Sequence, residues 1–204
     1  MPRKRKKPGS RQIEKKLLIF CEGKKDKSES AYFKALIKDY EFPGNQIDVR
    51  VVDTIINTGK ELVKLAKLEQ EFPDDKLWIV YDKDGYTQHA QTFDAAKRSN
   101  IQIAFSSISF EFWILLHFEY TSRAYDKSND IIHDLKHKHD FDYSKADKNV
   151  YALTKKDIQK ATNRAILIQK HQKDSCTHSK IYKFNPYTNI NELILDIEKL
   201  LEKK

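Results

Sequence analysis

Two short apolar runs most constrain how this chain can fold, because acidic residues follow each run at once. LLIFC, residues 17–21, precedes Glu22, and LWIVY, residues 77–81, precedes Asp82 and Asp84. Runs of this length and composition are typical of strands buried on both faces of a sheet. The carboxyl ends of parallel strands meet at one edge, where open α/β sheets bind their ligands. The pattern therefore predicts that the three acids lie together at one sheet edge.

The remaining pattern alternates strands with helices. We predict further strands at 47–52 and 101–105, separated from the first two by segments with apolar residues at helical spacing. This alternation favours βαβ units and a mainly parallel sheet flanked by helices. Beyond Phe110 the pattern changes. Three later segments, 128–139, 155–172 and 190–203, have helical patterns, so the predicted fold class is α/β with a helical C-terminal portion.

The net charge divides the chain further. Residues 1–16 contain eight basic residues and one acidic residue, which accounts for seven of the net +8 charge. We therefore predict a flexible basic arm at 1–16, an α/β core at 17–120 and a helical portion at 121–204. A short basic arm suits a phosphate backbone, although a solubilising terminus has the same composition. The candidate nucleic-acid-binding residues are Arg3, Lys4, Arg5, Lys6 and Lys7.

The acids at the strand ends predict a metal site. Asp82 and Asp84 are two residues apart and point to the same side of an extended segment. Clustered carboxylates repel one another unless a cation neutralises them, and their hard oxygens favour Mg²⁺ or Mn²⁺. An Asp-x-Asp-Gly turn with no metal is the alternative. The joint placement of Glu22 with the two aspartates favours the metal. Asp53 also closes a strand but has no second acid beside it, so we interpret it as a turn residue.

These motifs also resemble a known family. A strand ending in Glu-Gly followed by a later strand ending in Asp-x-Asp resembles the Toprim fold of primases, topoisomerases and nucleases of the overcoming-lysogenization-defect type. Within that fold, the chain resembles the RloB family at four segments spread over nearly its whole length. They are Cys21-Glu22-Gly23 with Glu29 and Tyr32-Phe33; Val80-Tyr81-Asp82-Lys83-Asp84; Ser109-Phe110-Glu111-Phe112-Trp113 with His117-Phe118; and Asn185-Pro186 with Thr188.

The resemblance implies a set of site residues. Glu22, Asp82 and Asp84 would hold the metal, and Glu22 would also serve in general acid–base catalysis. The second acid of the first motif is either Glu29 or Asp26, and the Tyr-Phe pair downstream favours Glu29 as a metal ligand. Glu111 opens an apolar segment and is either a further catalytic acid or a carboxylate favoured at a helix start.

The implied function is metal-dependent hydrolysis of phosphodiester bonds in DNA or RNA, in bacterial defence against phage or abortive infection. In that setting a separate ATPase often controls the nuclease. The alternative is a non-catalytic Toprim-like module that binds nucleic acid or an ATPase partner. No apolar run approaches the roughly 20 residues that cross a bilayer, and two cysteines imply no disulfide framework. We therefore expect a cytoplasmic protein that does not insert into membranes.

Overall fold

A five-stranded sheet forms the centre of the computed structural model, which describes residues 15–23, 27–42, 47–83, 87–145, 147–177 and 180–201. The strand order is β2-β1-β3-β4-β5; the first four strands are parallel, and β5 is antiparallel to β4. The strands are β1 (Lys15–Cys21), β2 (Ile47–Val52), β3 (Lys76–Asp82), β4 (Gln102–Ser107) and β5 (Tyr187–Thr188). The predicted mainly parallel sheet is therefore confirmed.

Helices connect these strands and fill the C-terminal part of the chain. They are α1 (Ser28–Asp39), α2 (Gly59–Leu68), α3 (His89–Arg98), α4 (Glu111–Leu115), α5 (Ser128–Lys138), α6 (Val150–Thr154), α7 (Ile158–Ser175) and α8 (Ile190–Leu201). The three predicted C-terminal helices correspond to α5, α7 and α8, and the helical C-terminal portion is confirmed. The apolar segment 110–118 is helical only over α4 and ends in turns.

The central strands are apolar on both sides because each face of the sheet has its own core. Along β1, Leu17 and Ile19 are buried against α1 and the C-terminal helices. Leu18 and Phe20 point to the opposite face and pack against α2 and α3. Side chains alternate between the faces of a strand, so a run with no polar position is required where both faces are covered.

The C-terminal helices share a core with the sheet. Trp113 of α4, Ile168 of α7 and Ile197 of α8 are fully buried in the same cluster as Leu17 and Ile19. At the sheet edge, Asn189 continues the pairing of β5: its amide accepts from Phe105 N at 2.7 Å and donates to Ile103 O at 2.8 Å. Among the described helices, none is long and apolar enough to cross a membrane.

Candidate active site

The register of β1 and β3 fixes two of the predicted acids side by side. Cys21, the last residue of β1, pairs with Val80, and the backbone nitrogen of Glu22 donates to Val80 O at 2.9 Å. Asp82 is the last residue of β3. Glu22 and Asp82 therefore leave neighbouring strands at the same edge, and both side chains are partly buried there.

A glycine turn directs the chain away from Glu22. Gly23 has φ +93°, a conformation that side chains rarely adopt, and its nitrogen donates to Ile56 O at 2.6 Å. A Cβ atom at this position would lie 2.6 Å from Cδ of Lys27. Glycine is favoured here because of the positive φ, whereas the flexible end of the Lys27 side chain could move away from an added Cβ. The hydroxyl of Thr54, two residues after the end of β2, donates to Cys21 O at 2.9 Å and so fixes the same turn.

The first turns of two helices supply two further acids. Glu29 lies in the first turn of α1, and Glu111 is the first residue of α4. These acids and the two at the strand ends face one cavity of about 240 Å³. The lining side chains are Glu22, Lys27, Ser28, Glu29, Asp82, Glu111 and Lys145. Four carboxylates from four separate elements thus meet in one place.

Glu111 is the most deeply buried acid of the four, with 4% of its surface exposed. The hydroxyl of Tyr143 donates to Glu111 Oε1 at 3.0 Å and also contacts Ser28 Oγ at 3.1 Å. Tyr143 is fully buried and lies in the loop between α5 and α6. This contact fixes the orientation of the Glu111 carboxylate and links the starts of α1 and α4.

The acids perturb one another. Desolvation inside the cavity, followed by the charges of Glu111 and Glu22, raises the pKa of Glu29 from 4.5 to about 7. A backbone hydrogen bond at Glu29 and, to a smaller extent, the charge of Lys27 oppose this shift but do not cancel it. A carboxyl group with such a pKa is poorly compensated by its protein neighbours, which is the condition under which a bound cation lowers the free energy of the site.

The carboxylates suit Mg²⁺ or Mn²⁺ in their chemistry, since both ions prefer hard oxygen ligands. In the described part of the chain, however, no three acidic, histidine or cysteine side chains converge closely enough to enclose one ion. Mg²⁺ is usually bound through one or two carboxylates and keeps several water molecules. The donor set fits that open coordination and does not fit a closed, fully protein-ligated cage.

The structure brings together Glu22, Asp82, Glu29 and Glu111, all of which are candidate site residues in the sequence analysis. Asp84, Asp26 and the basic residues Arg3 to Lys7 lie outside the described residues. Asp53 is exposed after β2 and forms an ion pair with Lys34 of α1, so it is placed as a strand-end residue outside this cavity.

Sequence reasoning missed four polar residues at the site. Lys27 and Ser28 flank the start of α1, where a charged residue and a serine are ordinary. Tyr143 and Lys145 lie more than 30 residues after Glu111 in a polar loop with no recognisable motif. Only the docking of that loop onto α4 shows that they belong to the site.

Comparison with known proteins gives the family. The geometry defines an α/β protein with an acidic cavity at the carboxyl ends of parallel strands. The model of the RloB-like protein family matches residues 17–197, which is most of the chain, so the chain belongs to the RloB-like family. No curated protein and no solved structure matches it.

Proposed function

We propose that this RloB-like protein is a Mg²⁺- or Mn²⁺-dependent nuclease that hydrolyses phosphodiester bonds in DNA or RNA. The observation that carries the proposal is the convergence of Glu22, Glu29, Asp82 and Glu111 in one cavity. The lining holds four acids and two lysines, so the described side chains leave the cavity with an excess of negative charge. Such an arrangement is expected where a divalent cation and a phosphate group bind.

In this proposal the acids at the strand ends and the acids at the helix starts have different roles. Glu22 and Asp82 would hold the cation from the ends of β1 and β3, with Glu29 beside them. A divalent cation at this position supplies Lewis acidity to the phosphate and lowers the pKa of water. Glu111 is held by Tyr143 and would orient the attacking water from the buried side of the cavity.

In this proposal the carboxylates accept and donate the protons of the reaction. Hydrolysis joins a water oxygen to phosphorus and breaks the bond between phosphorus and the leaving sugar oxygen. A proton must leave the water, and another must reach the leaving oxygen. The resemblance to the Toprim fold suggests Glu22 for this transfer, and its partly buried position at the sheet edge keeps it within reach of solvent. We propose Glu22 as the acid–base group.

The proposed substrate is a polynucleotide, and the proposed setting is defence against phage. The basic arm with Arg3, Lys4, Arg5, Lys6 and Lys7 favours a polymeric phosphate over a small phosphorylated molecule. Resemblance to RloB and related defence proteins supports a role in phage defence or abortive infection, with a separate ATPase as the controlling partner.

The test is cleavage of mixed single- and double-stranded DNA and RNA in the presence of Mn²⁺ or Mg²⁺. We compare the wild type with Asp82→Ala and with Asp53→Ala, which removes another strand-end acid that does not line the cavity. We expect the wild type and Asp53→Ala to cut and Asp82→Ala to lose at least about 100-fold in rate, because loss of a direct ligand exceeds the 10–100-fold effect of its supporting residues. EDTA should abolish cleavage by all three proteins.

Two outcomes would count against the nuclease. Equal cleavage by Asp82→Ala and the wild type would show that a contaminant or a different site is responsible. Nucleic-acid binding without cleavage, even after addition of a candidate ATPase partner, would favour the non-catalytic binding module.

A further inference from the structure

Two lysines line the acidic cavity together with the four carboxylates. They are Lys27, which precedes α1, and Lys145, which lies in the loop between α5 and α6. Neither residue was singled out by the sequence. Carboxylates explain how a cation is held, but they repel the phosphate that must approach it. The lysines are the only lining side chains in the described residues whose charge attracts a phosphate.

Lys145 is held in place by the fold. Two residues earlier, the fully buried Tyr143 binds Glu111 and Ser28, so this part of the loop is fixed to the cavity wall. The Lys145 ammonium donates to the Ser128 hydroxyl at 3.1 Å. Serine is neutral, so this contact orients the ammonium without compensating its charge. The side chain itself is exposed, which leaves it accessible to a polymer.

Lys27 reaches the cavity from the other part of the chain. Its side chain folds over Gly23, and its ammonium lies 3.0 Å from the position that a Cβ atom of Gly23 would occupy. The charge of Lys27 also acts on Glu29. The two ammonium groups therefore come from the α/β core and from the helical portion, respectively.

We propose that Lys145, together with Lys27, binds the phosphodiester that is to be cut. This inference rests on the proposed nuclease function and adds the groups that hold its substrate. Lysine binds phosphate as a compact point charge through charge-assisted hydrogen bonds. Among the described residues that line the cavity there is no aromatic ring on which a base could stack. The contact is therefore to the backbone and not to the bases.

The experiment measures binding separately from cleavage. A fluorescein-labelled single-stranded oligonucleotide of 12 residues is titrated in Ca²⁺ at several salt concentrations, and its anisotropy gives Kd. The variants are Lys145→Gln, Lys145→Arg and Lys67→Gln. Lys67 is exposed in the last turn of α2, which returns from the carboxyl edge of the sheet to the start of β3. Lys67→Gln therefore removes the same charge at the opposite end of the sheet and serves as the matched control.

We expect Lys145→Gln to weaken binding about tenfold and to reduce the dependence of log K on log salt by about 0.7, the loss of one phosphate contact. Lys145→Arg keeps the charge and should bind within about threefold of the wild type, as should Lys67→Gln. In cleavage assays with Mn²⁺, Lys145→Gln should raise KM. A purely structural role for Lys145 would change the melting temperature but not the salt dependence.

The results separate the two proposals. If Lys145→Gln binds like Lys67→Gln with an unchanged salt dependence, the phosphate role of Lys145 is wrong, whether or not the wild type cuts. If Lys145→Arg loses as much binding as Lys145→Gln, the role is also wrong. If the wild type never cuts while Lys145→Gln, alone among the variants, has the reduced salt dependence of binding, the phosphate site is supported and the proposed nuclease function is wrong.

Discussion

Asp134 and Glu29 lie in two regions of this protein that compensate a carboxylate in opposite ways. Asp134 of α5 has 3% of its surface exposed and is surrounded by donors. Lys138 approaches it at 2.8 Å, the Tyr125 hydroxyl at 2.9 Å and Arg123 at 3.2 Å. Burial alone would raise its pKa, but the hydrogen bonds from Lys138 and Tyr125 and the charge of Arg123 lower the pKa of Asp134 below its usual value.

In the cavity Glu29 is partly buried, and two of its charged neighbours are other acids. Desolvation and the charges of Glu111 and Glu22 raise the pKa of Glu29 to about 7. The comparison teaches how to distinguish a structural acid from a functional one. Asp134 is compensated within the fold and stabilises it. The negative charge of Glu29 is only partly balanced by its neighbours, which lowers the stability of the folded protein. A cation bound beside Glu29 would recover that stability.

The largest effect on stability is expected at the structural acid. Asp134→Ala should lower the free energy of unfolding by about 3 kcal/mol, because it leaves the buried Tyr125 hydroxyl and two cations without their shared partner. Urea denaturation at pH 7 measures this loss. The matched control is Asp142→Ala, whose side chain is 98% exposed and pairs with Lys136 at 3.5 Å. It should cost under about 0.5 kcal/mol.

The pH dependence at Asp134 has a definite sign. A lowered folded pKa means that the stabilisation is complete above the usual value of 3.8 and is lost as the pH falls through the lower, folded value. The difference between wild type and Asp134→Ala should therefore be constant well above pH 3.8 and shrink as the pH falls below that value. A difference that grows on acidification would contradict the structural role.

Glu29, which is proposed to be functional, should show the opposite behaviour. The folded pKa of Glu29, about 7, lies above the ordinary value of 4.5, so the native state holds the extra proton between them. Stability should therefore fall as the pH rises from 4.5 to 7 and stay level above that. Glu29→Gln removes this penalty and should stabilise the metal-free protein at pH 8 by on the order of 2 kcal/mol.

Thermal melts between pH 4 and pH 9, without and with Mn²⁺, test this expectation. Mn²⁺ should raise the melting temperature of the wild type at pH 8 and raise that of Glu29→Gln less. Glu69→Gln, at the exposed end of α2, removes a similar side chain outside the cavity and should behave as the wild type does. If Glu29→Gln is destabilising at pH 8, the raised pKa is wrong and the two regions do not differ in this way.

The sequence sufficed to predict the parts of the molecule that depend on local pattern. LLIFC and LWIVY form central strands because burial on both faces excludes polar residues from them. The parallel arrangement then requires the acids that follow these runs to share an edge. Glu22 and Asp82 lie there for that reason. Glu29, with Asp26 as its alternative, and Glu111 are instead named through the resemblance to the RloB family.

The parts that depend on distant segments docking together were not predictable. Nothing in the local pattern around Tyr143 indicates that its hydroxyl contacts Glu111, because the contact spans 32 residues of sequence. The strand β5 is only two residues long, and the side chain of Asn189 extends its pairing. Contacts of this kind arise when the helical portion packs on the sheet. Hydrophobic periodicity predicts where the helices are in the sequence but not how they are oriented in the fold.

A smaller effect sharpens the comparison inside the cavity. Tyr143→Phe removes only the hydroxyl that orients Glu111 and should weaken Mn²⁺ binding about tenfold, as loss of a supporting hydrogen bond commonly does. The matched control is Tyr151→Phe, which removes a hydroxyl that donates to Asp39 at 2.9 Å, outside the cavity lining. Calorimetric titration with Mn²⁺ distinguishes them. Equal affinities in the two variants would mean that the orientation of Glu111 does not affect the water on the cation.

The smallest effect is expected at Asp53, the strand-end acid outside the cavity. Its side chain is 41% exposed, and its partner Lys34 is 34% exposed, so solvent screens the pair. Asp53→Asn should change the free energy of unfolding by less than about 0.5 kcal/mol and leave the Mn²⁺-induced rise in melting temperature as large as in the wild type. If it removes that rise, the cation site extends along the sheet edge to β2. A position directly after a strand would then be enough to make an acid part of the cation site. The proximity of several acids in the cavity would no longer distinguish that site.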